Sequence, residues 1–141
     1  MINGLDDFKV YNLVMDFAEN IWSVVARWNN FQKDTIGKQL VRSADSIAVN
    51  RSEGLGRYHF KDSKNFGYYS RGSLFESKTW LNKSYNRGLI DRPLFEKLNQ
   101  EIERMGKRIN GYINSIGEVS EPLETYGENP HNQAHCLIPR A

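Results

Sequence analysis

The chain has 141 residues, 39% of them hydrophobic and 26% charged, with a formal net charge of +2. That length suits one domain around one core, and the apolar share excludes a wholly disordered chain. No run of eighteen apolar residues occurs, residues 1–7 lack the basic start and apolar stretch of a secretion signal, and the single Cys136 allows no intrachain disulfide; the expectation is a cytoplasmic protein without a membrane segment.

Four stretches read as helices and none as a strand ladder. In the first, Phe8, Tyr11, Val14, Phe17, Ala18, Ile21, Trp22, Val25 and Trp28 recur at three- and four-residue spacing. This predicts an amphipathic helix over 6–29, with Asp6 and Asp7 at its positive end and Asn29-Asn30 as its stop. Asp34-Thr35 offers the next N-cap, followed by Ile36, Leu40, Val41, Ala44, Ile47 and Ala48 on one face, and Gly54 and Gly56 end that helix. The third helix spans 61–87, with Phe66, Tyr69, Ser73, Trp80 and Ser84 read as its inward side and Gly88 as its stop. Asp91 caps the fourth, Pro93 sits in its first turn, and Leu94, Leu98, Ile102, Met105, Ile109, Ile113 and Ile116 form its apolar face, with fraying near Gly117.

Long helices joined by short loops pack antiparallel. The predicted fold is all-α, an up-down-up-down four-helix bundle over residues 6–117. From 118 to 141 the apolar period is lost and Glu, Gly, Pro, Asn and His dominate. This segment reads as a mobile tail, with docking of Leu123, Tyr126, Leu137 and Ile138 on the bundle as the alternative.

Catalytic patterns are scarce. His131 and His135 lie four apart beside Cys136, which on a helix could hold a metal, but the segment follows Pro130 and has no helical face. No Glu-x-x-His pair of a di-iron bundle, no Gly-x-Ser-x-Gly and no phosphate loop occurs. Glu101/Glu103 and Glu118/Glu121 read as solvent-facing charge. Neither a metal nor a cofactor is expected, and a metal-dependent hydrolase built on the tail histidines is the weakest reading.

Charge is more informative once divided. Residues 1–50 carry net −1, residues 51–87 net +5 and residues 88–141 net −2. On the third helix Lys61, Lys64, Tyr68, Arg71, Phe75 and Lys78 follow one another at three- and four-residue steps. They form one stripe roughly opposite Phe66, Tyr69, Ser73 and Trp80, with Arg57 preceding it from the loop. The stripe could be a solvated face, a subunit contact anchored by Phe75, or a surface where rings stack bases and cations hold phosphates. On the same helix Ser63, Gly67, Ser70, Ser77 and Ser84 recur near the core side, where small residues admit a close neighbour. Arg51 falls on the apolar face of the second helix, so it must snorkel or meet a carboxylate, for which Glu76 is the candidate.

The segment Gln39-Leu40-Val41-Arg42-Ser43-Ala44-Asp45-Ser46-Ile47 with Asn50-Arg51-Ser52-Glu53-Gly54-Leu55-Gly56-Arg57, followed downstream by Gly72-Ser73-Leu74-Phe75-Glu76-Ser77, resembles a known family. It is similar to the bacterial four-helix-bundle proteins encoded in intervening sequences of 23S ribosomal RNA genes, the S23 ribosomal proteins. It also looks like the accessory variability protein of diversity-generating retroelements. The resemblance covers residues 5–117 and implies a homopentamer. In the retroelement branch it implies a basic surface that binds nucleic acid and a reverse transcriptase, and it implies no enzymatic activity. The matching positions are Arg42, Ser46, Asn50, Glu53, Gly54, Gly56, Arg57, Ser73 and Glu76. The resemblance assigns them to helix packing, the turn between the second and third helices and a polar interhelical network, which with Arg51 comprises Arg42, Asn50, Glu53 and Glu76. Arg51 itself stands where the pattern has an apolar residue.

The sequence therefore predicts a non-enzymatic oligomeric bundle that binds RNA or DNA through the third helix. Arg57, Lys61, Lys64, Arg71 and Lys78 would contact phosphates, and Tyr68 or Phe75 would stack. The alternative is a scaffold for a protein partner such as a reverse transcriptase, with the stripe buried in that contact.

Overall fold

A computed structural model describes residues 4–57 and 59–119, and the predicted tail at 118–141 lies almost wholly outside them. Helix α1 is Gly4–Val25. Helix α2 begins as Asn30–Gln32, passes through a π-helical stretch, Lys33–Gly37, and continues as Lys38–Leu55. Helix α3 is Phe60–Asn86 and α4 is Arg92–Val119. These form an all-helical four-helix bundle; among the described residues there is no strand, and no helix is long and apolar enough to cross a membrane.

Local chemistry sets the helix ends. The Asn29 side chain accepts from Gln32 N at 2.8 Å, while Gln32 Oε1 accepts from Asn29 N at 3.2 Å. That capping box starts α2 at Asn30, so Asn29 opens a helix where the sequence suggested a stop. Thr35, expected at the cap, instead donates back to the Phe31 carbonyl at 2.7 Å from inside the π-helical stretch. At the end of α3, Gly88 takes φ +76°. Gly88 N bonds Tyr85 O at 3.0 Å and Leu89 N bonds Ser84 O at 2.9 Å, which is a Schellman closure. Asp91 caps α4 through Leu94 N at 3.0 Å, as its position in the sequence predicts.

The core takes Val10, Val14, Phe17, Ile21 and Val25 from α1, and Leu40, Ala44 and Ile47 from α2. From α4 it takes Leu98, Ile102, Met105, Ile109 and Ile113. Two of the expected α1 core residues lie outside it: Tyr11 is exposed and Trp22 is 60% exposed. Phe8 lies outside the residues whose side chains are described.

Helix α3 departs most from expectation. Its buried stripe is Ser63, Gly67, Ser70, Leu74, Ser77, Leu81 and Ser84, mostly small residues. Tyr69, predicted inside, is 56% exposed, while Phe66, Ser73 and Trp80 are half-buried. The small stripe lets α3 lie close against both neighbours. Ser63 donates to Gly54 O at 2.8 Å, Ser70 to Ile47 O at 2.9 Å and Ser77 to Ser43 Oγ at 2.9 Å, all across the α2–α3 seam. On the other side a Cβ on Gly67 would come within 2.9 Å of Ile113. At such a seam bulky rings do not fit, so the aromatic residues of α3 fall on its flanks. The α3 stripe of bulky residues and the basic stripe are thus two flanks of one inward row, not an inside and an outside.

Glycines should report this packing. Gly37→Ala puts a Cβ 2.7 Å from Val25 Cγ1 and 3.0 Å from Gln32 O, whereas Gly72→Ala meets nothing within 4 Å. In urea unfolding Gly37→Ala should lose about 1–3 kcal/mol. Gly72→Ala should be neutral or gain about 0.5–1 kcal/mol.

Candidate functional site

Along the α3–α4 seam the basic stripe borders a groove of 230 Å³. Arg71, Phe75 and Lys78 supply one wall; Glu103, Lys107 and Asn110 of α4 supply the other. The helices approach here because Gly106 faces Leu74, where an added Cβ would sit 3.3 Å from Leu74 Cδ2. Arg71 Nη1 donates to Asn110 Oδ1 at 2.8 Å, and its guanidinium lies 4.9 Å from the Tyr68 ring centroid. Lys78 Nζ meets Glu103 Oε2 at 3.3 Å. These contacts hold two cations at the groove edge, and a surface pair of this kind adds little stability.

A second depression of 530 Å³ lies across the outer face of α3 over Gly72, bordered by Asn50, Tyr68, Tyr69, Ser73 and Glu76. Arg71 and Phe75 line both depressions and form the crest between them. Tyr68, Arg71, Phe75 and Lys78 are thus brought together, each half-buried, with Lys64 on the same flank nearer the start of α3. Lys61 is exposed near that start. Arg57 stands apart, pairing with Glu53 at 2.9 Å and stacking 4.7 Å from the Phe66 ring centroid. Lys107 is the residue the sequence reading missed. Its neighbours Arg104 and Arg108 repeat the helical spacing, but the acidic residues after 117 mask this basic run in the average charge.

The five residues expected to form a polar network are dispersed. Arg42 is exposed on the α1–α2 side, Glu53 pairs with Arg57, and Asn50 and Glu76 border the depression over Gly72. Among the described residues, Glu53 bonds Arg57 and not the other three. Glu76 accepts from Trp80 Nε1 at 3.3 Å. Arg51 is 2% exposed and its guanidinium lies 4.0 Å from the Tyr112 ring centroid, a cation–π contact stronger for being desolvated. Glu101, expected in solvent, is buried between α1 and α4, where both carboxylate oxygens accept from Asn20 Nδ2 at 3.2 and 3.3 Å. Among the described residues no three His, Cys, Asp or Glu side chains group as a metal site; His131, His135 and Cys136 lie outside them.

The class these features define is a helical bundle with basic and aromatic surface grooves. A family model described as 23S rRNA-intervening sequence protein matches residues 6–111, and the chain belongs to that family. A solved structure from Bacteroides thetaiotaomicron VPI-5482, described as a protein of unknown function from the S23 ribosomal protein family, shares the fold. It is 24% identical with a TM-score of 0.73, over 77% of this chain and 98% of that one. No curated protein matches the chain.

Asp45, on the α1–α2 side, has its carboxyl pushed above the ordinary value of 3.8 by burial and then by Glu19 across the seam. A raised native pKa means the native state holds the proton more tightly than the unfolded chain. Stability is therefore lost as pH rises from 3.8 through the native value, and the penalty persists above it. Asp45→Asn should raise the thermal midpoint at neutral pH and leave it nearly unchanged well below 3.8.

Proposed function

We propose that this protein is a non-enzymatic nucleic-acid-binding bundle that holds RNA or DNA along the α3–α4 groove, without strong sequence preference. The observation that carries this reading is the convergence of Arg71, Lys78 and Lys107 from two helices around the half-buried Phe75 ring, with Glu103 the one carboxylate lining that groove. Cations at such an edge attract phosphates by releasing counterions, and a ring among them offers a stacking surface for any base. Lys64 extends the same flank toward the start of α3.

A single groove of this size contacts few phosphates, so binding by one protomer is weak. Self-association into a symmetric ring, which this reading takes to be a homopentamer, would repeat the groove and supply avidity. A cytoplasmic location belongs to this reading.

Fluorescence anisotropy with a structured RNA and with duplex DNA at two salt concentrations tests the proposal. Affinity should fall steeply as salt rises, and Lys107→Glu or Arg71→Glu should each make the logarithmic salt dependence shallower by about one. Phe75→Ala should cost about 1–3 kcal/mol of binding. Absence of binding at low salt by the full chain would end the proposal. If Phe75→Asp dissociates the assembly while the cation variants leave RNA affinity unchanged, the crest is a subunit contact.

A further inference from the structure

On the side away from the α3–α4 groove, α1 and α2 enclose an apolar groove of 370 Å³. Trp22 and Val25 of α1, Ala26 in the turn after it and Val41 of α2 line it. Trp22 is 60% exposed, an unusual position for a large ring on a helix whose other face is fully packed. Lys33, Lys38 and Arg42 line the same groove. Lys38 and Arg42 are one α-helical turn apart. Lys33 and Lys38 are five residues apart and would diverge on an α-helix, but the chain between them is π-helical, and Lys38 N bonds Lys33 O across the wider turn. The π-helical stretch thus brings three cations into one row beside the apolar floor.

These cations differ from the two that α3 sets at the edge of the other groove. Arg71 and Lys78 are each bonded to a neighbouring side chain. Among the described residues none of Lys33, Lys38 and Arg42 forms an ion pair, and the carboxylates Glu19 and Asp45 lie one turn further along the seam, beyond Trp22 and Arg42 respectively. The surface therefore runs from a row of unpaired cations over an apolar floor to a pair of acids.

We infer that the Trp22 groove is a docking site for an amphipathic helix of a protein partner, one that carries carboxylates at four-residue spacing beside a bulky apolar side chain. The apolar residue seats on Trp22 and Val41, and the carboxylates meet Lys33, Lys38 and Arg42. Charge complementarity selects this occupant over a nucleic acid, because a continuous phosphate backbone following the cations would run into Glu19 and Asp45. A helix ends its acidic stretch there or presents a cation to the two acids. This inference concerns a different face from the nucleic-acid groove and stands independently of it.

The test is a displayed library of single-helix peptides, randomised along one face and panned against the full chain. Enriched peptides should carry two or three carboxylates at four-residue spacing next to Leu, Phe or Trp. They should bind the native chain at least about tenfold more tightly than either Lys33→Glu/Lys38→Glu/Arg42→Glu or Trp22→Ala, and should bind Arg71→Glu unchanged. Replacing the peptide carboxylates by lysine should restore binding to the triple variant, which also shows that this variant is folded. Enrichment without acidic residues, equal binding to the triple variant, or displacement by a short RNA duplex as effective as by unlabelled peptide would overturn the inference. So would dissociation of the protein's own assembly by Trp22→Asp, which would make a second copy the occupant.

Discussion

The closeness of α3 to its neighbours governs the rest of the molecule. Ser63, Gly67, Ser70, Ser77 and Ser84 present so little bulk that α2 and α4 can both lie against the same narrow row. Hydroxyl groups buried in such a seam need acceptors, and they find them in the Gly54 and Ile47 carbonyls and the Ser43 hydroxyl of α2. The α2–α3 seam is therefore held by hydrogen bonds as well as by apolar contact, and its register is tied to particular residues.

The outer surfaces follow from that constraint. With its small residues turned inward, α3 must carry its rings on the flanks. Phe66 and Tyr69 pack edge to face on one flank, Tyr68 and Phe75 lie on the other, and Tyr68, Tyr69 and Phe75 all border the depression over Gly72. A half-buried ring with cations beside it is a good surface for recognition because it is already rigid. The same packing anchors Arg71 on Asn110 and Lys78 on Glu103, so positive charge is presented from a framework instead of on free side chains. On α2 the arrangement is different. There a π-helical stretch, not a neighbouring helix, aligns the cations, and they remain available.

Much of this architecture is legible along the chain. The apolar faces of α2 and α4 are read almost residue for residue, because each packs one continuous aliphatic stripe into the core. Gly88 and Asp91 mark the α3–α4 turn by chemistry that acts within a few residues. Asn29 misleads because a capping box and a helix stop use the same residue type, and only the bond to Gln32 distinguishes them. Trp22 and Tyr69 mislead because large rings at helical spacing look like core, whereas the small residues of α3 at the same spacing mark the side that its neighbours approach.

The sequence alone determines that this is an all-helical bundle with positive charge concentrated in the middle stretch of the chain, since periodicity, caps and composition act over short stretches. Tertiary structure alone decides that the small row of α3 is the centre of its inward side and that its rings fall on the flanks, because that depends on how closely two other helices can approach it. It also decides that Lys107 joins Arg71 and Lys78, and that Trp22 stands over a groove. Those neighbours are far apart in the chain, and no local preference records how they meet.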